Sequence, residues 1–109
     1  MKKLLLIAAL LFASYGAFAD DFDLFVAGMR ESGVGMVRTD KSHRIVFLDV
    51  KADFESLSDQ ELAEIKSMIL KGMPAENAAI IRELNVTIVF NYISKNGKIY
   101  SVVITSSDL

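Results

Sequence analysis

Hydrophobic positions recur along the chain with two periods. From Asp20 to Glu31, Phe22, Phe25, Val26 and Met29 fall at i, i+3, i+4 and i+7, one stripe of an amphipathic helix, with Asp20, Asp21 and Asp23 in a first turn where negative charge suits the helix dipole. Gly33 and Gly35 then allow a turn, and Met36 to Thr39 reads as a short strand. Arg44 to Phe54 alternates instead. Val46, Leu48, Val50, Ala52 and Phe54 share one face, and Ile45, Phe47, Asp49, Lys51 and Asp53 share the other, so a strand is expected whose second face turns polar toward its end.

The next signal is local. Ser58-Asp59-Gln60-Glu61 has the form of a capping box, and Leu57 and Leu62 hold the two positions of a hydrophobic staple. A helix from Asp59 to about Lys71 follows, with Leu62, Ile65, Ile69 and Met73 facing inward, Gly72 as its stop and Pro74 just beyond. Pro74 to Leu84 predicts a second, shorter helix with Pro74 at its first position and Ala78, Ile81 and Leu84 packing.

Val86 to Ile93 and Ile99 to Thr105 form a hairpin around Lys95-Asn96-Gly97-Lys98, and its register follows from which pairs each turn would impose. A two-residue loop at Asn96-Gly97 sets Lys95 against Lys98 and mixes polar with apolar residues on both faces. A three-residue loop with Gly97 left-handed sets Ser94 against Lys98, Tyr92 against Tyr100, Phe90 against Val102 and Ile88 against Ile104. One face is then apolar, and Thr87, Asn91, Ser101 and Thr105 collect on the other. The second register is the expected one. The element order predicts an α+β fold of two layers, an antiparallel three- to four-stranded sheet with helices packed on it, in the order α-(β)-β-α-(α)-β-β.

Composition divides the chain. Met1 to Ala19 holds about 15 apolar residues, while the remaining 90 are about 47% apolar, the ordinary globular level. Lys2 and Lys3, the apolar run Leu4 to Ala13 and Ala17-Phe18-Ala19 have the order of a signal peptide cleaved before Asp20, with an apolar run too short for a bilayer span. The domains expected are a cleaved leader over 1–19 and one α+β domain over 20–109, periplasmic or secreted, with no membrane association after cleavage. Export permits disulfides, yet the chain has no Cys, so the domain must hold together by its core alone.

The chemistry is sparse. His43 is the single histidine and lies in the polar run Thr39-Asp40-Lys41-Ser42 before a strand, without a G-x-S-x-G elbow, so an exposed loop histidine is the favoured reading over a hydrolase. The acids Asp49, Asp53, Glu55, Asp59, Glu61 and Glu64 fall where a solvent-facing strand end and a helix N-terminus would place them. No glycine pattern fits a phosphate loop, and Lys and Arg scattered among more numerous acids exclude a nucleic-acid stripe. No enzyme activity, cofactor or metal is expected.

The stretch Asn85 to Thr105, with Tyr92, Gly97 and Lys98 in the pattern Y-x-x-x-x-G-K, resembles the C-terminal hairpin of a loose group of small exported bacterial proteins and lipoproteins. The resemblance implies an exported α+β domain and carries over no catalytic residue. The lipid-anchor cysteine frequent in that group is absent here.

Surface recognition is therefore the expected work. Ile45, Phe47, Val89, Ile93, Ile99 and Val103 lie on the sheet face opposite the tyrosines, and if helices cover one face only, this apolar face would bind a protein partner or a second copy. The competing arrangement is a sandwich in which the N-terminal helix covers it. The leading expectation is a non-catalytic periplasmic interaction protein, such as an inhibitor or immunity-type factor. The alternative is a small-ligand or envelope-stress module with a pocket between helices and sheet lined by Met68, Tyr92 and Tyr100.

Overall fold

The computed structural model describes residues 22–31, 33 and 35–109, without the side chains of Asp23 and Leu24. The signal-peptide reading of Met1 to Ala19 and the capping role of Asp20 and Asp21 lie outside the described residues. Seven principal elements follow: α1 (Phe22–Glu31), β1 (Met36–Asp40), β2 (Ile45–Lys51), α2 (Asp59–Gly72), α3 (Ala75–Leu84), β3 (Thr87–Ile93) and β4 (Ile99–Ile104), with single 3-10 turns at Lys41–His43 and Ser106–Asp108.

The four strands form one sheet in the order β1-β2-β3-β4. Its outer pairs, β1 with β2 and β3 with β4, are antiparallel, and its central pair is parallel, with Val46 opposite Ile88 and Leu48 opposite Phe90. The sheet is thus mixed rather than wholly antiparallel. The reason is topological: α2 and α3 both lie between β2 and β3, and a helical crossover of that length returns the chain to the end of the sheet from which β2 began, where only a parallel strand can start.

Helices and sheet meet in a single core. Phe22, Phe25, Val26 and Met29 of α1 join Ile65 and Ile69 of α2, Ile81 of α3, and Val46, Leu48, Ile88, Phe90, Tyr92, Val102 and Ile104 of the sheet, all buried. The apolar stripe of α1 therefore faces the same side of the sheet as α2 and α3. The fold is two-layered, and the sandwich arrangement is not formed.

Local chemistry sets the ends of these elements. Ser58 Oγ accepts the Glu61 amide and Glu61 Oε1 accepts the Ser58 amide, each at 3.1 Å, completing the box that starts α2. Pro74 is the N-cap of α3 rather than its first helical residue, since its ψ of 145° is extended and the helical conformation begins at Ala75. Beyond Lys51 the alternation of β2 continues in burial, while its bonding to the β3 side is reduced to isolated bonds, the Lys95 amide donating to Phe54 O among them. The Ala52 amide still donates to Ile93, then the Phe54 amide donates back to Ala52, and the tight turn delivers Phe54 to the core.

The hairpin has the register set by its apolar pairs: Ile88 opposite Ile104, Phe90 opposite Val102, Tyr92 opposite Tyr100. Gly97 has φ +84°, the left-handed value the three-residue loop demands. Its amide donates to Ser94 O at 3.0 Å and the Ser94 amide to Lys98 O at 2.9 Å. Gly35 answers a different need. A Cβ there would lie 2.3 Å from the Asp49 carbonyl oxygen, so only glycine lets the turn into β1 lie against β2.

Candidate functional site

Strand alternation and register together place a second set of side chains on the face away from the helices. From β1 come Met36, Arg38 and Asp40, from β2 Ile45, Phe47, Asp49 and Lys51, from β3 Thr87, Val89, Asn91 and Ile93, and from β4 Ile99, Ser101 and Val103. All six residues expected on an apolar recognition face, Ile45, Phe47, Val89, Ile93, Ile99 and Val103, share this face. Three large apolar side chains stand well exposed on it: Met36 at 67%, Ile99 at 58% and Val103 at 41%. The other four of the six, Ile45, Phe47, Val89 and Ile93, are half-buried.

A polar row crosses the middle of this face. Asp49 sits opposite Asn91, and Asn91 opposite Ser101, while Arg38 reaches Asp49 diagonally from β1. Arg38 Nε donates to Asp49 Oδ2 at 2.7 Å and its Nη2 to Oδ1 at 3.0 Å, a two-pronged contact. Asn91 Nδ2 donates to Asp49 Oδ1 at 2.9 Å, and Ser101 Oγ donates to Asn91 Oδ1 at 2.6 Å. Each strand of the sheet thus contributes one member. Asn91 is buried, so its amide would be costly without these partners.

Electrostatics follow from the same contacts. The Arg38 hydrogen bonds, aided by the Asn91 amide and the Arg38 charge and opposed by partial burial, hold the Asp49 carboxyl below the usual aspartate value. The Arg38 guanidinium also lies 5.0 Å from the centre of the Phe47 ring, where the ring face attracts a cation. Apolar residues border the row on both sides, with Phe47, Val89 and Val103 paired along one flank and Ile93 and Ile99 along the other. The face can therefore offer apolar contact and, at its centre, side chains already fixed in one geometry.

The polar row was only half visible in the sequence. Asn91 and Ser101 are expected together once the hairpin register is chosen, but their link to Asp49 depends on the parallel pairing of β2 with β3, and Arg38 on the pairing of β1.

The other candidates are placed differently. Tyr92 is wholly buried, and Met68 and Tyr100 pack half-buried against the core, Tyr100 with its ring 5.8 Å from that of Phe54. A shallow groove of about 210 Å³ is lined instead by Leu62, Ala63 and Lys66 of α2 and Ser101, Val102 and Val103 of β4. Met68, Tyr92 and Tyr100, the three expected pocket residues, do not line this groove.

His43 has an acid and a hydroxyl within reach, but not as a relay. Asp40 Oδ2 lies 2.8 Å and Ser42 Oγ 3.2 Å from the same ring atom, Nδ1, while Ser42 Oγ donates to Asp40 Oδ1 at 2.8 Å. A nucleophile needs one imidazole nitrogen and the orienting acid the other. The cluster instead closes an exposed turn, in which Asp40 also accepts the His43 amide and is held below its usual value by the bonds from Ser42 and His43. Among the described residues no three His, Asp or Glu side chains gather as a metal site, and no helix is long and apolar enough to cross a membrane.

The fold and this face define an α+β domain with one sheet surface left bare by the described helices. Comparisons with protein-family models, with curated proteins and with solved structures find no match for the chain.

Proposed function

We propose that this is an exported, non-catalytic interaction protein, of the inhibitor or immunity type, that binds another envelope protein through the open face of its sheet. The observation that carries the reading is the polar row Arg38–Asp49–Asn91–Ser101 set between two apolar flanks on a face that no described helix covers. A solvated sheet face ordinarily carries scattered polar residues. This one combines exposed Met36, Ile99 and Val103 with prearranged hydrogen-bonding groups, the composition of a recognition patch. The leader-like segment at Met1 to Ala19 supports export and an envelope partner.

Site-specific photo-crosslinking in the producing cell tests this. A crosslinking residue at Phe47 or Ile93 should capture one discrete envelope protein, whereas the same residue at exposed Ser67 of α2 should not. Absence of adduct at both face positions, equal capture at Ser67, or adducts of the chain with itself alone would overturn the reading.

A further inference from the structure

The sheet has two edges, and they are guarded unequally. An edge strand presents unpaired N–H and C=O groups that invite another strand, and proteins blunt such edges with charge, proline, bulges or short length. At the β1 edge the strand is five residues long, carries Arg38 and Asp40, and runs directly into the turn at Lys41–His43. At the other edge β4 reads Ile-Tyr-Ser-Val-Val-Ile, with neither charge nor proline.

The hairpin fixes which β4 groups face outward. The Ser94 amide donates to Lys98 O, so Ser94 and Lys98 are a hydrogen-bonded pair, and in an antiparallel ladder such pairs alternate with non-bonded ones. Tyr100, Val102 and Ile104 therefore direct their backbone groups to β3. Ile99, Ser101 and Val103 direct theirs away from the sheet, and all three residues are exposed. Among the described residues no backbone bond joins them to another element.

We infer that two copies of this chain pair antiparallel through β4, with Ser101 opposite Ser101, joining their sheets into one. A two-fold contact requires a self-complementary strand. Centred on Ser101, Ile99 of one copy meets Val103 of the other on the open face, and Tyr100 meets Val102 on the helix face, so every pair beside the central serines is apolar or aromatic. The centre falls on an outward-facing residue, as a hydrogen-bonded pair demands. Beyond these pairs the same register sets Lys98 of each copy opposite Ile104 of the other, while Asp108 stays bonded within its own chain to Lys66 and Thr105. There is also room, since the groove beside Val102, lined by Leu62, Ala63 and Lys66, lies where the second copy would bring its Tyr100.

This contact is made by the backbone groups of the β4 edge, with Ile99 and Val103 meeting along the margin of the open face, and it stands whether or not the rest of that face binds a partner. The test is sedimentation of protein expressed from the full-length sequence, across a range of concentration reaching high micromolar. A monomer–dimer equilibrium is expected. Ile99→Lys with Val103→Lys sets like charges opposite each other at both pairs and should weaken dimerisation by at least about tenfold. Ile99→Lys with Val103→Glu sets opposite charges there and should restore it. Amide exchange supplies the readout if the double-lysine variant is unfolded: Ile99, Ser101 and Val103 should gain protection with concentration, while Tyr100 and Val102, bonded to β3, are protected throughout. A monomer at every concentration, concentration-independent exchange at the three outward amides, or a dimer dissociated by Phe47→Asp but not by the double-lysine variant would overturn the inference.

Discussion

At the scale of the residue, Asp49 is where fold and surface chemistry meet. Its carboxylate receives two bonds from Arg38 and one from Asn91, so it is held in the charged form more firmly than in the unfolded chain. The sign of the consequence is fixed by linkage. A carboxyl whose folded pKa lies below its unfolded value contributes stability above the unfolded value, near 4, and that contribution is lost as pH falls through the folded value. Asp40 and Asp108 are depressed as well, the first chiefly by the Ser42 and His43 side chains and the second chiefly by the Thr105 backbone amide. Acidification below about pH 4 should therefore destabilise the protein. Asp49→Asn should reduce that loss without abolishing it, as urea midpoints at neutral pH and near pH 3 would show. An unchanged acid dependence would mean that the Arg38 contact gives Asp49 no preference for its charged form.

At the scale of the element, the hairpin shows how one backbone angle selects a register. Nothing lies within 4 Å of a Cβ at Gly97, so a larger residue meets no steric wall, and the entire cost of replacing it is the left-handed φ of +84°. Gly97→Val should lower stability by about 1–2 kcal/mol, a fall in Tm of about 4–8 °C for each kcal/mol, measurable by calorimetry. No change would mean that the loop can adopt another turn without moving the strands. This element was legible in the sequence because its determinants are adjacent: a one-residue slip would send Tyr92, Phe90 and Ile88 to the wrong face. The capping box of α2 was legible for the same reason. The parallel pairing of β2 with β3 was not, since it depends on where the crossover through α2 and α3 returns the chain, and no residue of β2 encodes that. The polar row inherits this limit. Asp49 and Asn91 are 42 positions apart, and each alone reads as an ordinary polar residue on a strand.

At the scale of the whole molecule, two layers with one face that no described helix covers divide the residues by task. Stability resides between helices and sheet, where Leu48 is fully buried, while the far face carries Met36 at 67% exposure. Leu48→Ala removes side-chain volume from a packed interior and should cost about 2–5 kcal/mol, a large part of the 5–15 kcal/mol typical of a whole domain. Met36→Ser removes apolar surface that is already in water and should change stability by no more than about 0.5 kcal/mol. Urea unfolding of the two variants, with equal m-values, would measure the contrast. The same contrast bears on function, because a face that can change without unfolding the molecule is free to be shaped by what it contacts. In the cell, Met36→Ser and Phe47→Asp should therefore diminish crosslinking from Ile93 while leaving the protein folded and abundant, whereas Leu48→Ala should lower its abundance. Loss of capture only in variants that also lose stability would return the open face to the role of a solvated sheet surface.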